Sequence, residues 1–448
     1  TTGPRPPGVT LRLYALLALL QTASALRPPV AKRVWHTVSF GAVHGENRGD
    51  RPMDPPRTRT DDLFWLRDDS RQSEEVLEHL RAENAFTEAS TSHLAAFRSS
   101  LYEELLSHIE EDYDSSAYPA PDGFEYWSRT RKGLSFSQHW RRRIAGGADE
   151  LVLDENAVAS SLPNPSQCDV GEVALSPSGD RLAFSVDGSG DETYDICIGA
   201  IGGEVAETLT DTDGSITWAS EALIFYVRQD ETQRPYEVWL HELGRPQTED
   251  VLVFEEPDEQ FNVACWRTCD DSLIFIEAES IETTEVHFVP TATPTAPLTV
   301  VRAREHGVRY DVDSHHPTCS LLLTSNIAGH RNRQLYVARR SRPSEWSLLA
   351  DEAGAAVLPH SPARSLDGLA VFDSFIAVTG REDGFTQIWV TSLPRDALPP
   401  VVRAIVRGTR PQSEPSLLAT TPAHRVAFES DSFEAGLSVN ELFTPADT

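Results

Sequence analysis

An all-β, seven-bladed β-propeller preceded by a short helical N-terminal segment is the fold class this sequence predicts, and three observations predict it. Past residue 122 the chain becomes a series of strand–loop–strand units. Those units recur at a spacing of ~50 residues, the period of propeller blades. Apolar residues at helical intervals occur only ahead of that series.

The first 25 residues stand apart. Leu11–Leu20 reads LRLYALLALL and leads into Ala23-Ser24-Ala25, after one early positive charge. This pattern predicts a leader over residues 1–25, secretory or organellar, with an apolar run too short to span a bilayer. The one N-x-S/T sequon, at Asn164, is closed by Pro165, which points away from secretion. The single methionine is Met53, so the expectation is a processed N-terminus or residues ahead of Thr1. Residues 26–60, rich in Pro, Arg and Gly, read as an extended arm.

Residues 61–120 read as a helical segment. Ser73 is the predicted N-cap of a first helix, with Glu74 and Glu75 in the turn where the helix dipole favours negative charge. A second helix carries Leu94, Phe97, Leu101, Leu105 and Ile109, one apolar stripe at intervals of three and four. It ends in the acidic run Glu110–Asp114, ahead of Pro119 and Pro121.

Residues 121–448 then carry seven units. The paired segments are 124–129 with 135–141, 181–186 with 193–198, 222–228 with 237–241, 272–277 with 285–289, 321–325 with 334–338, 375–379 with 387–391, and 425–429 with 437–443. One central residue from each first strand gives Trp127, Phe184, Phe225, Phe275, Leu323, Val378 and Phe428. A small sheet of this kind cannot bury both faces alone, so neighbours must stack around an axis. Ser176-Pro177-Ser178-Gly179-Asp180 shows the local chemistry: proline presets the turn, glycine fits its fourth position, and a strand leaves at once.

Composition excludes some partners. Of 448 residues 40% are apolar, enough for a substantial core, and 39 basic against 69 acidic residues leave a net charge of −30. Such a chain is a poor ligand for nucleic acid or an anionic membrane surface; the excess reads first as a solubilising surface, with cationic ligands as its alternative. Among the basic residues only Lys32 and Lys132 are lysines. Cys168, Cys197, Cys265, Cys269 and Cys319 are few and odd in number, which predicts buried free thiols rather than a disulfide framework. Cys265 and Cys269 lack the CxxC or Cys/His company a zinc site needs.

The catalytic motifs are missing. A nucleophile elbow needs G-x-S-x-G, and both Gly133-Leu134-Ser135-Phe136-Ser137 and Gly436-Leu437-Ser438-Val439-Asn440 lack the second glycine and fall inside predicted strands. His241-Glu242-Leu243-Gly244-Arg245 is not HExxH. Gly188-Ser189-Gly190 runs into Asp191 and Glu192, which suits a hairpin loop and repels phosphate. His315-His316 are neighbours on a strand and point to opposite faces, so they do not share an ion. Arg141-Arg142-Arg143 reads as a solvated strand end, with carboxylate binding as its alternative. No catalytic, cofactor-binding or metal residue is assigned, no cofactor is implied, and the substrate-binding and channel-lining residues stay unassigned.

DDLFWLRDDS (61–70) followed by EEVLEHLRAENAF (74–86) resembles the N-terminal signature of the prolyl oligopeptidase family, in its oligopeptidase B-like branch. The resemblance continues, in family order, through VDGSGDETY (186–194), VLVFEEPDEQF (251–261), FIEAESIETTEVHFVP (275–290) and GVRYDVDSHH (307–316). It implies a seven-bladed propeller set as a lid and size filter over an α/β-hydrolase domain that follows it and carries the catalytic Ser, Asp and His. Residues 61–120 would pack on that domain. This chain stops where the seventh blade should end, so the resemblance implies a propeller portion, inactive alone. Its substrate would be short peptides, cleaved after Arg or Lys, in the cytoplasm. The alternative is a non-catalytic propeller that binds protein or peptide, since fold alone does not separate the two.

Overall fold

The computed structural model describes residues 27–44, 53–350, 354–393 and 405–408, the last by backbone alone. The chain divides into two units, residues 1–110 and 111–448.

In the first unit, β1 (His36–Phe40) pairs antiparallel with β2 (Arg57–Asp61), so part of the expected extended arm is a two-stranded ribbon. The motif at 61–70 then folds on its own side chains. The Trp65 indole donates to the Lys32 carbonyl at 2.9 Å, and the His36 and Phe64 rings stack at 4.4 Å. Helix α1 (Glu74–Thr91) starts after Ser73 with Glu74 and Glu75 in its first turn. The Ser73 hydroxyl, however, makes no cap; Asp68 instead ties down the approach to the helix, accepting from the backbone N–H of Gln72 and Ser73 at 2.7 and 2.5 Å. Helix α2 (Ala95–Leu106) carries Phe97, Leu101 and Leu105 of the predicted stripe and ends before Ile109; the stripe is bare, with Phe97 63% exposed.

The second unit is a run of small antiparallel sheets. In the first, β3 (Tyr113–Asp114) and β4 (Tyr118–Pro119) both pair with β5 (Phe124–Thr130), followed by β6 (Gln138–Arg143) and β7 (Glu150–Asp154). Helix α3 (Glu155–Ser161) links it to the second sheet, β8 (Asp169–Leu175), β9 (Arg181–Asp187), β10 (Tyr194–Ala200) and β11 (Val205–Thr212). The third is β12 (Ile216–Ser220), β13 (Leu223–Gln229), β14 (Pro235–Glu242) and β15 (Val251–Glu255). The fourth is β16 (Asn262–Arg267), β17 (Leu273–Glu279), β18 (Thr284–Pro290) and β19 (Thr299–Arg302). The fifth is β20 (Tyr310–His315), β21 (Ser320–Ser325), β22 (Gln334–Arg339) and β23 (Arg342–Leu348). The sixth is β24 (Arg364–Val371), β25 (Phe375–Glu382), β26 (Phe385–Ser392) and β27 (Ile405–Gly408). This is an all-β propeller with six blades among the described residues, where the spacing predicts seven. The seventh unit, 425–429 with 437–443, lies outside the described residues.

Five apolar cores alternate with the six sheets. On β17, Ile274 and Ile276 pack toward the third sheet with Phe225 and Val227, while Leu273 and Phe275 pack toward the fifth with Leu321 and Leu323. Leu322 turns the other way, into the core shared with Ile376, Val378 and Trp389 of the sixth sheet. A middle strand thus buries both faces, each fully buried apolar side chain contributing ~1.5–3 kcal/mol. That is why these strands read as unbroken apolar runs rather than as alternating ones. The turn at 176–180 forms as predicted, the Gly179 N–H donating to the Ser176 carbonyl at 2.8 Å with Gly179 at φ 72°. A Cβ there would also meet the Asp122 carboxylate at 2.3 Å, so the position needs glycine for space as well as for backbone.

Two polar features within this core are testable. His241 is fully buried at the outer corner of the third sheet, its Nδ1 2.7 Å from Asp250 and its Nε2 2.9 Å from Glu207, with the Tyr226 hydroxyl on the other Asp250 oxygen at 2.8 Å. Removing the ring strands Asp250, itself 1% exposed in its side chain. His241→Ala is therefore expected to cost ~3–5 kcal/mol, read as a lowered midpoint in denaturant; a loss under ~1 kcal/mol would contradict the assignment.

Glu277 is half-buried on the face of β17 toward the fifth sheet. Burial first, then the nearby Glu279 and Asp311 carboxylates, push its pKa from 4.5 up to about 8, against the pull of Arg309 and Arg333. The folded chain then keeps a proton that the unfolded chain has lost. Stability accordingly falls as the pH climbs from about 4.5 to about 8. Glu277→Gln removes this dependence. The Tm gap between variant and wild type is expected to widen across that range and level off above it. A gap that does not change with pH would overturn the reading.

Candidate functional site

The first strand of each sheet from the second to the sixth lies at the hub of the unit. Neighbouring hub strands are bonded to one another by side chains, because their second edge has no strand to pair with. The Ile216 N–H of β12 donates to Glu172 of β8 at 2.7 Å, and the Trp218 indole donates to the Ala174 carbonyl at 3.3 Å. The Thr217 hydroxyl donates to the Cys265 carbonyl of β16 at 2.9 Å. Farther round, the Val371 N–H of β24 donates to Asp313 of β20 at 3.3 Å. Arg340 reaches Asp270 and Ser272 of the fourth sheet at 2.7 Å each.

A cavity of about 760 Å³ opens along the hub edges of the first four sheets. Six aromatic residues line it: Tyr118, Tyr126, Trp127 and Trp140 from the first sheet, Trp218 from β12 and Trp266 from β16. Its carboxylates are Asp122, Glu172 and Asp271, and its basic groups are Arg267 and His139. Volume and lining suit a ligand with apolar or aromatic-seeking groups and a few polar ones. Burial raises the Glu172 pKa, the Ile216 N–H lowers it, and Asp213 raises it again. Burial also raises Asp271, partly countered by Arg267. Cys265, beside Thr217, is pushed up to about 12 by burial, so it is an unreactive thiol.

At one end of the sheets the loops are held by arginines. Arg234 donates from Nη1 to the carbonyls of Glu256, Asp258 and Phe261 at 3.3, 3.4 and 2.9 Å. Arg304 donates to the buried Glu256 at 2.5 Å and lies 4.1 Å from the centre of the Phe261 ring. These two side chains fix the segment 256–261 between the third and fourth sheets.

The residues singled out from sequence scatter. Asp187 accepts from the N–H groups of Ser189, Gly190 and Glu192 at 2.7–2.8 Å, so the glycine loop at 188–190 is a hairpin turn closed on its own carboxylate. His315 is buried between the Thr318 hydroxyl at 2.7 Å and the Asp373 carbonyl at 3.0 Å, while His316 is exposed. Arg141 pairs with Glu150 and Arg142 with Glu125, at 3.0 and 2.9 Å, so carboxylate binding there is internal. Ser135 is not in a strand: β6 begins at Gln138, because Gly133 at φ 85° opens a loop that Asn156 and Glu155 pin. The second glycine–serine candidate, 436–440, lies outside the described residues. The described cysteines are free thiols, but only Cys168 and Cys265 are buried as expected; Cys269 and Cys319, in the turns that follow hub strands, are exposed. None of these candidates lines the cavity except Cys265. Glu172 and the hub tryptophans carry no motif; only their place on the first strand of a blade marks them.

A family model described as the prolyl oligopeptidase N-terminal β-propeller domain matches residues 43–434. Dipeptidyl aminopeptidase BI of Pseudoxanthomonas mexicana is 29% identical over 393 residues, covering 82% of this chain and 50% of that protein. Protease 2 of Moraxella lacunata is 29% identical over 379 residues, with the same coverage of 82% and 50%. Among solved structures, oligopeptidase B from Leishmania major superposes with a TM-score of 0.78 at 35% identity, covering 87% of this chain and 54% of that one. Oligopeptidase B from Trypanosoma brucei, in a closed form with covalently bound antipain, gives 0.77 at 36% identity, with 87% and 54% covered. The chain spans about half the length of the relatives it matches.

Proposed function

The chain belongs to the prolyl oligopeptidase family, and from that premise we propose that it serves as the propeller part of a serine-type peptidase acting on short peptides. The observation that carries this reading is the family match over residues 43–434. The likeness to oligopeptidase B in sequence and fold supports cleavage after Arg or Lys. In this reading the unit 425–429 with 437–443 supplies the seventh blade, and the exposed stripe on α2 covers part of a following α/β-hydrolase domain, which supplies the serine, histidine and aspartate. The propeller acts as lid and size filter. Its cavity admits an unfolded peptide and turns away a folded protein.

The net charge of −30 adds an electrostatic role. Cationic peptides are drawn toward an acidic opening, an effect screened over ~10 Å at 0.1 M salt.

Two measurements test the reading. Transcript sequence beyond the codon for Thr448 is expected to encode G-x-S-x-G within on the order of 250 residues; a stop codon at that point would favour a binding scaffold. This chain, purified alone, is expected to turn over no Arg-containing fluorogenic peptide, whereas the protein with its hydrolase part does so at a rate that falls as salt rises. Turnover by the chain alone would falsify the division of labour. A rate indifferent to salt would remove the electrostatic role.

A further inference from the structure

We propose that the hub cavity holds a side-chain site for a guanidinium or ammonium group of a bound peptide, with Glu172 as its anion and the hub aromatic rings as its walls. This rests on the peptide-substrate reading and adds a place where such a substrate is held away from the scissile bond.

The charges around the cavity carry the inference. Asp271 is paired with Arg267 at 2.9 Å. Asp122 spends its oxygens on the Phe124 N–H at 3.0 Å and the Tyr126 hydroxyl at 2.5 Å. Arg267 is held by Asp271 and by the Trp218 carbonyl at 3.5 Å, and His139 by Glu155 at 2.7 Å. Glu172 differs. One of its oxygens accepts from the Ile216 N–H, no basic side chain pairs with it among the described residues, and it is exposed within the cavity.

Its neighbour makes the position less comfortable. Asp213 sits close enough to raise the Glu172 pKa, and its own carboxylate binds only Ser215, at 2.9 Å through the backbone N–H. Two carboxylates without a cation, partly stripped of water, gain from a positive ligand that neither has inside the protein. The walls select the same ligand. Trp218 and Trp266 stand on the next two hub strands after the one that carries Glu172, β12 and β16, and indole faces attract guanidinium and ammonium groups.

The test uses this chain and a blocked tri-arginine amide, with a blocked tri-glutamine amide as the neutral probe. Four of the nine tryptophans line the cavity, so binding reads out as a change in tryptophan emission. Tri-arginine is expected to bind and tri-glutamine not. Glu172→Gln, which keeps an acceptor for the Ile216 N–H, is expected to weaken binding at least about tenfold. E172K abolishes it. Glu242→Gln, at the exposed end of β14 and paired there with Arg245, leaves it unchanged. Thermal melts of each variant separate lost binding from lost folding. Unchanged affinity in a folded Glu172→Gln, or an equal loss in Glu242→Gln, would overturn the proposal in favour of diffuse charge attraction. Failure of the peptidase reading would appear elsewhere, as absent turnover by the protein with its hydrolase part, and would not alter this titration.

Discussion

A four-stranded sheet with two apolar faces has to find a neighbour for each of them, and the architecture of the second unit follows from that constraint. Phe275 and Ile276 are adjacent in sequence and fully buried, yet they belong to different cores on opposite sides of one sheet. No single blade is stable alone, so stability is shared along the stack, core by core. This accounts for the five separate apolar clusters where an ordinary domain has one. It also accounts for the need for repeated units of nearly constant size.

Stacking leaves a second problem at the hub, where the first strand of each blade has an unpaired edge. The chain solves it with side chains rather than further strands. Glu172, Thr217, Trp218 and Asp313 each bond to backbone of the adjacent hub strand. Nearer the loops, Arg234, Arg304 and Arg340 bridge successive sheets through carbonyls and carboxylates. The planar guanidinium suits such work because it can address several acceptors at once. Much of the acidic excess thus has structural employment, and the arginine bias of the basic residues fits it.

What was legible in the sequence was decided by burial. Each described segment pair read as a strand is a middle pair of a blade, as with Leu273–Glu279 and Thr284–Pro290. The first strand of such a pair, as in β13, β17 and β21, is apolar on both faces and announces itself. Hub strands such as β8, DVGEVAL, and outer strands such as β23, RPSEWSL, carry polar residues on an open face and went unseen. The spacing survived because every blade keeps the same middle pair. Ser73 shows a subtler miss: its position as N-cap was readable, but its hydroxyl makes no cap, and the approach to the helix is tied down by Asp68, five residues earlier, which a local rule does not reach. His241 gave no sign of its place between Glu207 and Asp250, since those partners lie 34 and 9 residues away and only the fold joins them. The cavity was illegible for the same reason. Its aromatic residues come from three different sheets, and its defining carboxylate is one glutamate among many.

The hub also shows how a propeller can carry chemistry without carrying a catalyst. Interior carboxylates are costly unless paired, and most here have arginines, hydroxyls or backbone N–H groups to meet that cost. Asp270, with Thr268, Ser272 and Arg340 around it, is held below its ordinary range despite burial. Asp313 goes the other way, up to about 6, because two N–H groups do not offset its burial and the charge of Asp270. Glu172 and Asp213 share that upward direction and have no cation at all. Glu172 lines the cavity, so a ligand entering there meets a carboxylate with no basic partner among the described residues.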